Sequence, residues 1–250
     1  MQQNLILPGE RIDELYANQV KIIQSPEVFS FSLDAVFLAY FAQPIKKAQG
    51  QVVDLCAGNG AVGLFLSTKT NAHIKMIEIQ PRLAQMAQRS VLLNELSTQI
   101  EVLNFDLNDA YQYLKKDSID TVTCNPPYFE NLPDSKKNPN EHLALARHEI
   151  TVTLAQVIEK MSGLLKMGGK CYLVHRPQRL LEILDEMRKQ RLAPKKIQLV
   201  YPKANKEANM VLIEAIKDGR PGGVRFLEPL IVYEQNDEYT AMVKEILYGN

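Results

Sequence analysis

Short apolar runs alternate with helical apolar patterns along most of the chain. Runs of strand length lie at residues 51–56, 73–79, 100–105, 119–124, 169–175, 197–201 and 209–216. Segments in which apolar residues recur at helical spacing lie between them, at 61–68, 82–94, 109–116, 151–165 and 177–191. Strands that alternate with helices predict a mostly parallel sheet with helices on both faces. We therefore expect a Rossmann-like α/β fold with its ligand site at the carboxyl ends of the strands.

The two ends of the chain fall outside this alternation. Residues 1–50 predict a leader that contains a hairpin and a helix near 34–42. Residues 217–250 predict a C-terminal extension with a strand near 230–233 and a last helix near 238–248. The chain contains no internal repeat and no low-complexity tract.

The alternating core, residues 51–216, contains one long polar loop at 128–149. Long loops in compact domains are usually functional or disordered. We expect the leader, the core and the extension to form a single domain over residues 1–250, with this loop beside the ligand site.

Composition narrows the classes of protein that fit this pattern. Apolar residues make up 46% of the chain, which is typical of a globular protein. Acidic and basic residues balance at 29 each, so affinity for nucleic acid would have to come from local patches. The three cysteines lack paired spacing, which argues against a disulfide framework or zinc site and favours a cytoplasmic setting. No apolar run is long enough for a membrane span or a signal peptide.

A glycine-rich turn follows the first core strand. Gly58, Gly60 and Gly63 satisfy the pattern Gly-x-Gly-x-x-Gly, and Glu78 follows the first glycine by 20 residues. By spacing alone, this pattern predicts a dinucleotide site in which Glu78 holds the ribose. Asp54 argues against a dinucleotide, because a carboxylate just before the turn would repel a pyrophosphate. S-adenosylmethionine carries an ammonium and a sulfonium and has no phosphate, so we expect it as the cofactor.

Acidic residues stand at the ends of successive strands. Glu78 can accept hydrogen bonds from both ribose hydroxyls, and Asp106 can hold the adenine amino group with Phe105 or Leu107 against the ring. A single acid would be an ordinary turn or strand-end carboxylate, but three around one glycine loop favour a cofactor site. The predicted cofactor-binding residues are Asp54, Ala57, Gly58, Gly60, Glu78, Ile79, Asp106, Leu107 and Asn125.

The tetrapeptide Asn125-Pro126-Pro127-Tyr128 follows the fourth core strand. Two prolines cannot continue a central strand, so they predict a stiff turn at the ligand edge. An aromatic amine is a poor nucleophile because its lone pair is delocalised into the ring. The Asn125 side-chain oxygen and the Pro126 carbonyl can grip its two N–H bonds and face the positive charge that develops on nitrogen. Tyr128 can stack on a planar substrate, and we predict all four residues as catalytic.

With these motifs in order, the chain resembles the class I S-adenosylmethionine-dependent methyltransferases that act on amino groups. Over nearly its whole length, including 31–38 and 208–215, it resembles the bacterial family of tRNA adenine-N6 methyltransferases. The resemblance implies a seven-stranded sheet with an antiparallel last strand, and S-adenosylhomocysteine as product. It also implies that Ser32 or Asp34 lies near the methionine carboxylate of the cofactor, although Asp34 is better placed as a helix N-cap.

An RNA substrate requires cationic contacts to phosphate. Lys136 and Lys137 in the long loop and Arg176 after the fifth core strand are the candidate substrate-binding residues, against the alternative that they are ordinary solvated surface. We expect RNA, above all tRNA, as the partner, no membrane and no metal, and a monomer or weak homodimer.

Three other functions stay open on the sequence alone. A protein glutamine N5 methyltransferase could use the same turn, because a side-chain amide is also a planar amine. An rRNA N-methyltransferase would differ only in its RNA. A noncatalytic RNA- or protein-binding module on the same scaffold predicts a damaged glycine loop or proline turn, and both are intact.

Overall fold

The computed structural model describes residues 5–15, 19–28, 33–128 and 152–249. The strands are β1 Arg11–Leu15, β2 Val20–Gln24, β3 Gln51–Leu55, β4 His73–Glu78, β5 Ile100–Asn104, β6 Ile119–Cys124, β7 Leu165–His175, β8 Leu192–Tyr201, β9 Met210–Lys217, β10 Arg225–Phe226 and β11 Leu230–Ile231. The helices are α1 Leu33–Phe41, α2 Ala61–Ser67, α3 Pro81–Leu93, α4 Ala110–Tyr113, α5 Leu154–Leu164, α6 Leu180–Lys189 and α7 Ala241–Tyr248. Short 3-10 turns, Leu107–Asp109 and Pro177–Arg179, precede α4 and α6.

The central sheet has the strand order β5-β4-β3-β6-β7-β9-β8. Strands β3 to β7 are parallel, and β9 is antiparallel to both of its neighbours. The predicted α/β fold with an antiparallel last core strand is therefore confirmed. Within the described residues the sheet has nine strands rather than seven, because the short strands β10 and β11 extend it beyond β8. Winding reverses between β3 and β6, where open α/β sheets bind ligands.

Two strands begin earlier than the apolar pattern predicts. β8 begins at Leu192 rather than at 197, although Pro194 interrupts the apolar run. A register shift between Pro194 and Lys196 carries the strand past the proline, as a β-bulge does. β7 begins at Leu165 rather than at 169, and its pairing with β6 also shifts register. Because pairing is irregular there, a search for alternating apolar and polar residues does not find where either strand begins.

Buried apolar clusters cover both faces of the sheet. One cluster includes Phe37 of α1, Leu64 of α2 and Val243 of α7. The other includes Ile158 of α5 and Ile183 of α6. Helices therefore pack on both faces, which leaves the strand ends as the place for a ligand.

The N-terminal hairpin, β1 with β2, packs along α3. The Ile23 backbone N–H donates to Ser90 Oγ at 3.0 Å, and Glu10 forms a two-pronged ion pair with Arg89. Asn59, in the glycine loop, donates its side-chain N–H to the Ile23 carbonyl at 3.1 Å. The hairpin predicted in the leader is confirmed, and it is joined directly to the predicted cofactor loop.

Lys69 caps the carboxyl end of α1, the helix that borders the ligand edge. Its ammonium donates to the carbonyl oxygens of Ala39, Tyr40 and Ala42 at 2.5–2.8 Å. We expect Lys69→Met to lower the free energy of unfolding by about 1–3 kcal/mol, because it leaves carbonyl groups at a helix end without this donor.

Urea denaturation measures this loss, with Lys75→Met as the matched control. Lys75 forms a partly exposed ion pair with Glu101, and such pairs contribute at most about 1 kcal/mol. Equal losses in the two variants would contradict the capping role.

Candidate cofactor and substrate site

A cleft lies at the carboxyl ends of β3 to β6. Of the predicted site residues, those in its lining are Ala57, Gly58, Glu78, Ile79, Asp106, Leu107, Asn125 and Pro127. Residues from four separate turns therefore meet around one space, as parallel strands arrange them.

The other predicted site residues are not part of the cleft lining. Those that lie near the cleft are Asp54, Gly60, Pro126, Tyr128 and Arg176. The predicted substrate contacts Lys136 and Lys137, and the alternative leader residue Ser32, lie outside the described residues.

The glycine turn depends on backbone angles and on close packing. Gly58 and Gly60 have φ values of +58° and +92°, in the left-handed region that favours glycine. At Gly63, a Cβ atom would lie 2.3 Å from the sulfur of Met76. The first two glycines therefore shape the turn at the cleft, and the third lets α2 pack closely against β4.

Backbone N–H groups hold both carboxylate oxygens of Glu78. Its Oε2 accepts a hydrogen bond from the Gly58 N–H and its Oε1 accepts one from the Gln80 N–H, both at 2.8 Å. The side chain is 5% exposed, and burial raises the pKa of its carboxyl while the amide donors oppose that rise. The carboxylate is thus fixed between the glycine loop and α3, with its edge in the cleft.

Asn104 holds the backbone that follows Glu78, a contact that the sequence pattern does not indicate. Its side-chain N–H group donates to the carbonyl oxygens of Glu78 and Ile79, at 2.7 and 3.1 Å. It is a strand-end amide, and nothing in its spacing marks it as part of a site.

Asp106 lies at the far wall of the cleft. Its Oδ1 accepts hydrogen bonds from the backbone and the side chain of Asn108, at 2.8 and 3.0 Å, and so caps the 3-10 turn. Phe105 also lines the cleft and stacks on Tyr113, with ring centroids 4.3 Å apart. An acid and an aromatic ring therefore stand together where the sequence predicts an adenine contact.

Asp54 lies beneath the glycine turn and is only 1% exposed. Thr123, its partner on β6, donates its hydroxyl to Asp54 Oδ1 at 2.7 Å, while Oδ2 is buried without a hydrogen-bond partner in the described part of the chain. Burial raises the pKa of the Asp54 carboxyl to about 7. Asp54 can therefore act on a bound cofactor only from beneath the glycine loop, through its charge or through a bridging water.

The Asn-Pro-Pro-Tyr turn closes one side of the cleft. Asn125 and Pro127 face the cleft, and Pro126 is buried between them. The Tyr128 hydroxyl lies 2.6 Å from Asp34 Oδ2 and 2.5 Å from the Asn125 side-chain oxygen, and it can donate its single proton to only one of them. Burial raises the pKa of Tyr128 well above its ordinary value, so the hydroxyl keeps its proton.

Arg176 and His175 cover the ring of Tyr128. The Arg176 guanidinium lies 5.1 Å from the ring centroid and donates to the Asn209 carbonyl at 2.9 Å. The His175 ring lies 5.2 Å away, and its Nδ1 accepts the Arg176 N–H. Burial lowers the pKa of His175 to about 4, so the ring is neutral near pH 7. Arg176, predicted as a substrate contact, packs here against Tyr128 of the Asn-Pro-Pro-Tyr turn.

In the described ranges, no group of three or more His, Cys, Asp or Glu residues is placed to hold a metal ion. In the same ranges, no helix has the length and apolarity needed to cross a membrane.

The strand order, the glycine loop, the acid at the end of β4 and the Asn-Pro-Pro-Tyr turn together define a class I S-adenosylmethionine-dependent methyltransferase. Residues 19–190 match the model of the family described as Methyltransferase small domain, and the chain belongs to this family. The predicted enzyme class is confirmed.

Several relatives have names that specify RNA substrates. The tRNA1(Val) (adenine(37)-N6)-methyltransferase of Shewanella loihica is 32% identical over 57% of this chain and 58% of that relative. The enzyme of the same name from Parabacteroides distasonis is 26% identical over 78% of this chain and 81% of its own length. A ribosomal RNA large subunit methyltransferase G of Colwellia psychrerythraea is 25% identical, with 67% of this chain and 40% of that relative covered.

Solved structures share the same fold. A predicted O-methyltransferase of Agrobacterium tumefaciens has a TM-score of 0.68 and 26% identity, with 86% of this chain and 96% of that chain covered. The geranyl diphosphate C-methyltransferase of Streptomyces coelicolor, in complex with S-adenosyl-L-homocysteine, has a TM-score of 0.57. It is 14% identical, with 74% of this chain and 77% of that chain covered, and this likeness concerns the fold alone.

Proposed function

We propose that the protein transfers a methyl group from S-adenosylmethionine to N6 of an adenine in tRNA. One observation carries the proposal: Asn125 lines the same cleft as Glu78 and Asp106. The amide that would grip an amine therefore faces the space that would hold the cofactor. A tRNA substrate would also place the enzyme in the cytoplasm.

The cleft has the chemistry that this cofactor needs. Glu78 presents a carboxylate edge suited to two ribose hydroxyls, since both of its oxygens are already aligned by backbone amides. At Gly58 a Cβ would meet no described atom within 4 Å, so the backbone there is open to a close approach. Asp106 and Phe105 suit an adenine, by hydrogen bonding and by ring contact. When bound, the cofactor supplies an electrophilic methyl group on sulfur.

The proline turn supplies the acceptors for the substrate amine. The Asn125 side-chain oxygen and the Pro126 carbonyl accept its two N–H bonds, which directs the nitrogen lone pair toward the cleft. These dipoles are fixed in advance by the rigid turn, and they stabilise the positive charge that develops on nitrogen. The N-methylated ammonium then loses its proton to solvent, so the step requires no strong base.

The choice of tRNA rests on several relatives that carry this name, including the two enzymes above. The RNA methyltransferase of Colwellia psychrerythraea favours rRNA as the second candidate. Arg176, beside the catalytic turn, offers a cation near the substrate edge.

A transfer assay tests the proposal. Purified protein is incubated with cofactor labelled on the methyl group and with separate tRNA, rRNA and protein fractions, and the labelled fraction is digested. We expect the label in tRNA, as N6-methyladenosine. Label in rRNA adenine would reassign the RNA, whereas label in glutamine or in another nucleoside would overturn the proposal.

Cofactor affinity is expected to increase as pH rises from about 6 to about 8. The raised pKa of Asp54, about 7, leaves its carboxyl partly protonated, and a cationic ligand favours the ionised form. The stability of the free protein depends on pH in the opposite direction to cofactor affinity. The contribution of Asp54 to the free energy of unfolding declines from pH 3.8 to about 7, because ionisation of this buried carboxyl is costly.

Calorimetric titration at several pH values measures this dependence, with Asp54→Asn as the control. The α-amino group of the cofactor loses its proton near pH 8 in both proteins, so only the difference between them reports Asp54. Identical pH profiles for the two proteins would contradict the prediction.

A further inference from the structure

A chain of hydrogen bonds runs from α1 to the catalytic turn. Asp34 is 7% exposed, and its Oδ1 accepts the Ala35 N–H at 2.8 Å. Its Oδ2 accepts the hydroxyl of Tyr128, which also contacts the Asn125 amide. Asp34 therefore reaches the turn through one intervening side chain, although it is not part of the cleft lining.

The Tyr128 hydroxyl has one proton for these two neighbours. A carboxylate can only accept a hydrogen bond, and a bond to a charged acceptor is stronger than one to a neutral amide. The proton therefore points to Asp34, and the phenol oxygen turns its lone pairs toward Asn125.

The amide of Asn125 can meet the Tyr128 hydroxyl with either end, since a half-turn exchanges its oxygen and nitrogen. If the amide oxygen faced the phenol oxygen, two acceptors would meet at 2.5 Å with no proton between them. With NH2 toward the phenol oxygen, Asn125 donates that hydrogen bond and its carbonyl oxygen turns away. Because Asn125 lines the cleft, the freed oxygen is available to an amine there.

We propose that Asp34 is a positioning residue that acts through Tyr128 to hold the Asn125 amide with its oxygen toward the substrate amine. This inference rests on the proposed function, because it concerns the acceptor that grips that amine. It gives the aspartate of the leader segment Leu33–Phe41 a role in transfer rather than in cofactor binding. It also assigns a role to the Tyr128 hydroxyl, a group that does not take part when the ring stacks on a substrate.

The test is a double-mutant cycle of Asp34→Asn and Tyr128→Phe. Asparagine can replace aspartate as an acceptor for the helix-end amide, so Asp34→Asn removes the charge with little change to α1. We expect each single variant to lower kcat roughly 10-fold to 100-fold, because the acceptor oxygen is no longer held in one orientation. KM for tRNA and the Kd of the cofactor are expected to stay within about twofold of wild type.

In the double variant, Asp34→Asn is expected to add little to the loss caused by Tyr128→Phe, since the proposed effect of Asp34 on Asn125 passes through that hydroxyl. Additive losses, or a change in KM without a change in kcat, would overturn the inference. Tyr172→Phe serves as the control, because it also removes a buried hydroxyl. This hydroxyl lies away from the cleft and donates to the Gln43 carbonyl at 3.1 Å. The kcat of this variant is expected to equal that of wild type.

Wild-type activity separates the two hypotheses. If the wild-type protein methylates adenine and the cycle is additive, only the positioning role fails. If the wild-type protein methylates no amine in tRNA, rRNA or protein, the proposed function fails and this inference fails with it.

Discussion

Replacing Asn125 by alanine is expected to lower kcat by at least about 100-fold and to leave cofactor affinity within about twofold. The side chain supplies one of two acceptors for the amine, and loss of one preorganised polar group at a developing charge costs roughly 10²–10³ in kcat. The rest of the cleft, including the Glu78 contacts, is untouched by the change. Single-turnover transfer to tRNA measures the first quantity, and calorimetry measures the second.

Asn71→Ala is the matched control for this variant. Asn71 is an exposed asparagine that precedes β4, at the opposite edge of the sheet. Its replacement is expected to change neither quantity. Near-normal turnover by Asn125→Ala would remove this residue from the catalytic machinery.

Glu78→Gln is expected to weaken cofactor binding about 10-fold to 100-fold. The carboxylate accepts two backbone N–H groups, and hydrogen bonds to charged groups contribute about 1.5–3 kcal/mol each. Glutamine has one acceptor oxygen, so its NH2 group would face one of these donors. The glycine turn then loses a contact, and the cleft loses an acceptor for the ribose.

Calorimetric titration of the cofactor checks this result, with Glu101→Gln as the control. Glu101 is an exposed acid on β5 whose partner is the surface residue Lys75. Cofactor affinity within about twofold of wild type in Glu78→Gln would contradict the assignment of Glu78 to the ribose.

Much of the fold and of the cleft could be predicted because both follow from short-range patterns. Parallel strands bring their carboxyl ends to one edge, so Glu78, Asp106 and Asn125 converge once the strands are identified. Elements without such a pattern are harder to predict. The helix predicted at 109–116 is shorter, because Leu114 is already extended where α4 ends.

Contacts between distant parts of the chain could not be predicted in this way. Tyr128 and Asp34 are separated by 94 positions, and no spacing rule connects a helix start to a turn that far away. The burial of Asp54 was also hidden, because an acid next to a glycine turn fits the surface of a cleft as well as the layer beneath it. Only the register of β3 with β6, which places Thr123 beside it, distinguishes the two.

The reversed direction of β9 has a consequence for the corner occupied by Tyr128. Every parallel strand delivers only its carboxyl end to that edge, but β9 delivers its beginning, so Val211 lies opposite His175. The carbonyl of Asn209 is thereby placed to anchor Arg176. Changes in the connection between β8 and β9 can thus alter a turn more than 70 positions earlier in the chain without touching the cleft itself.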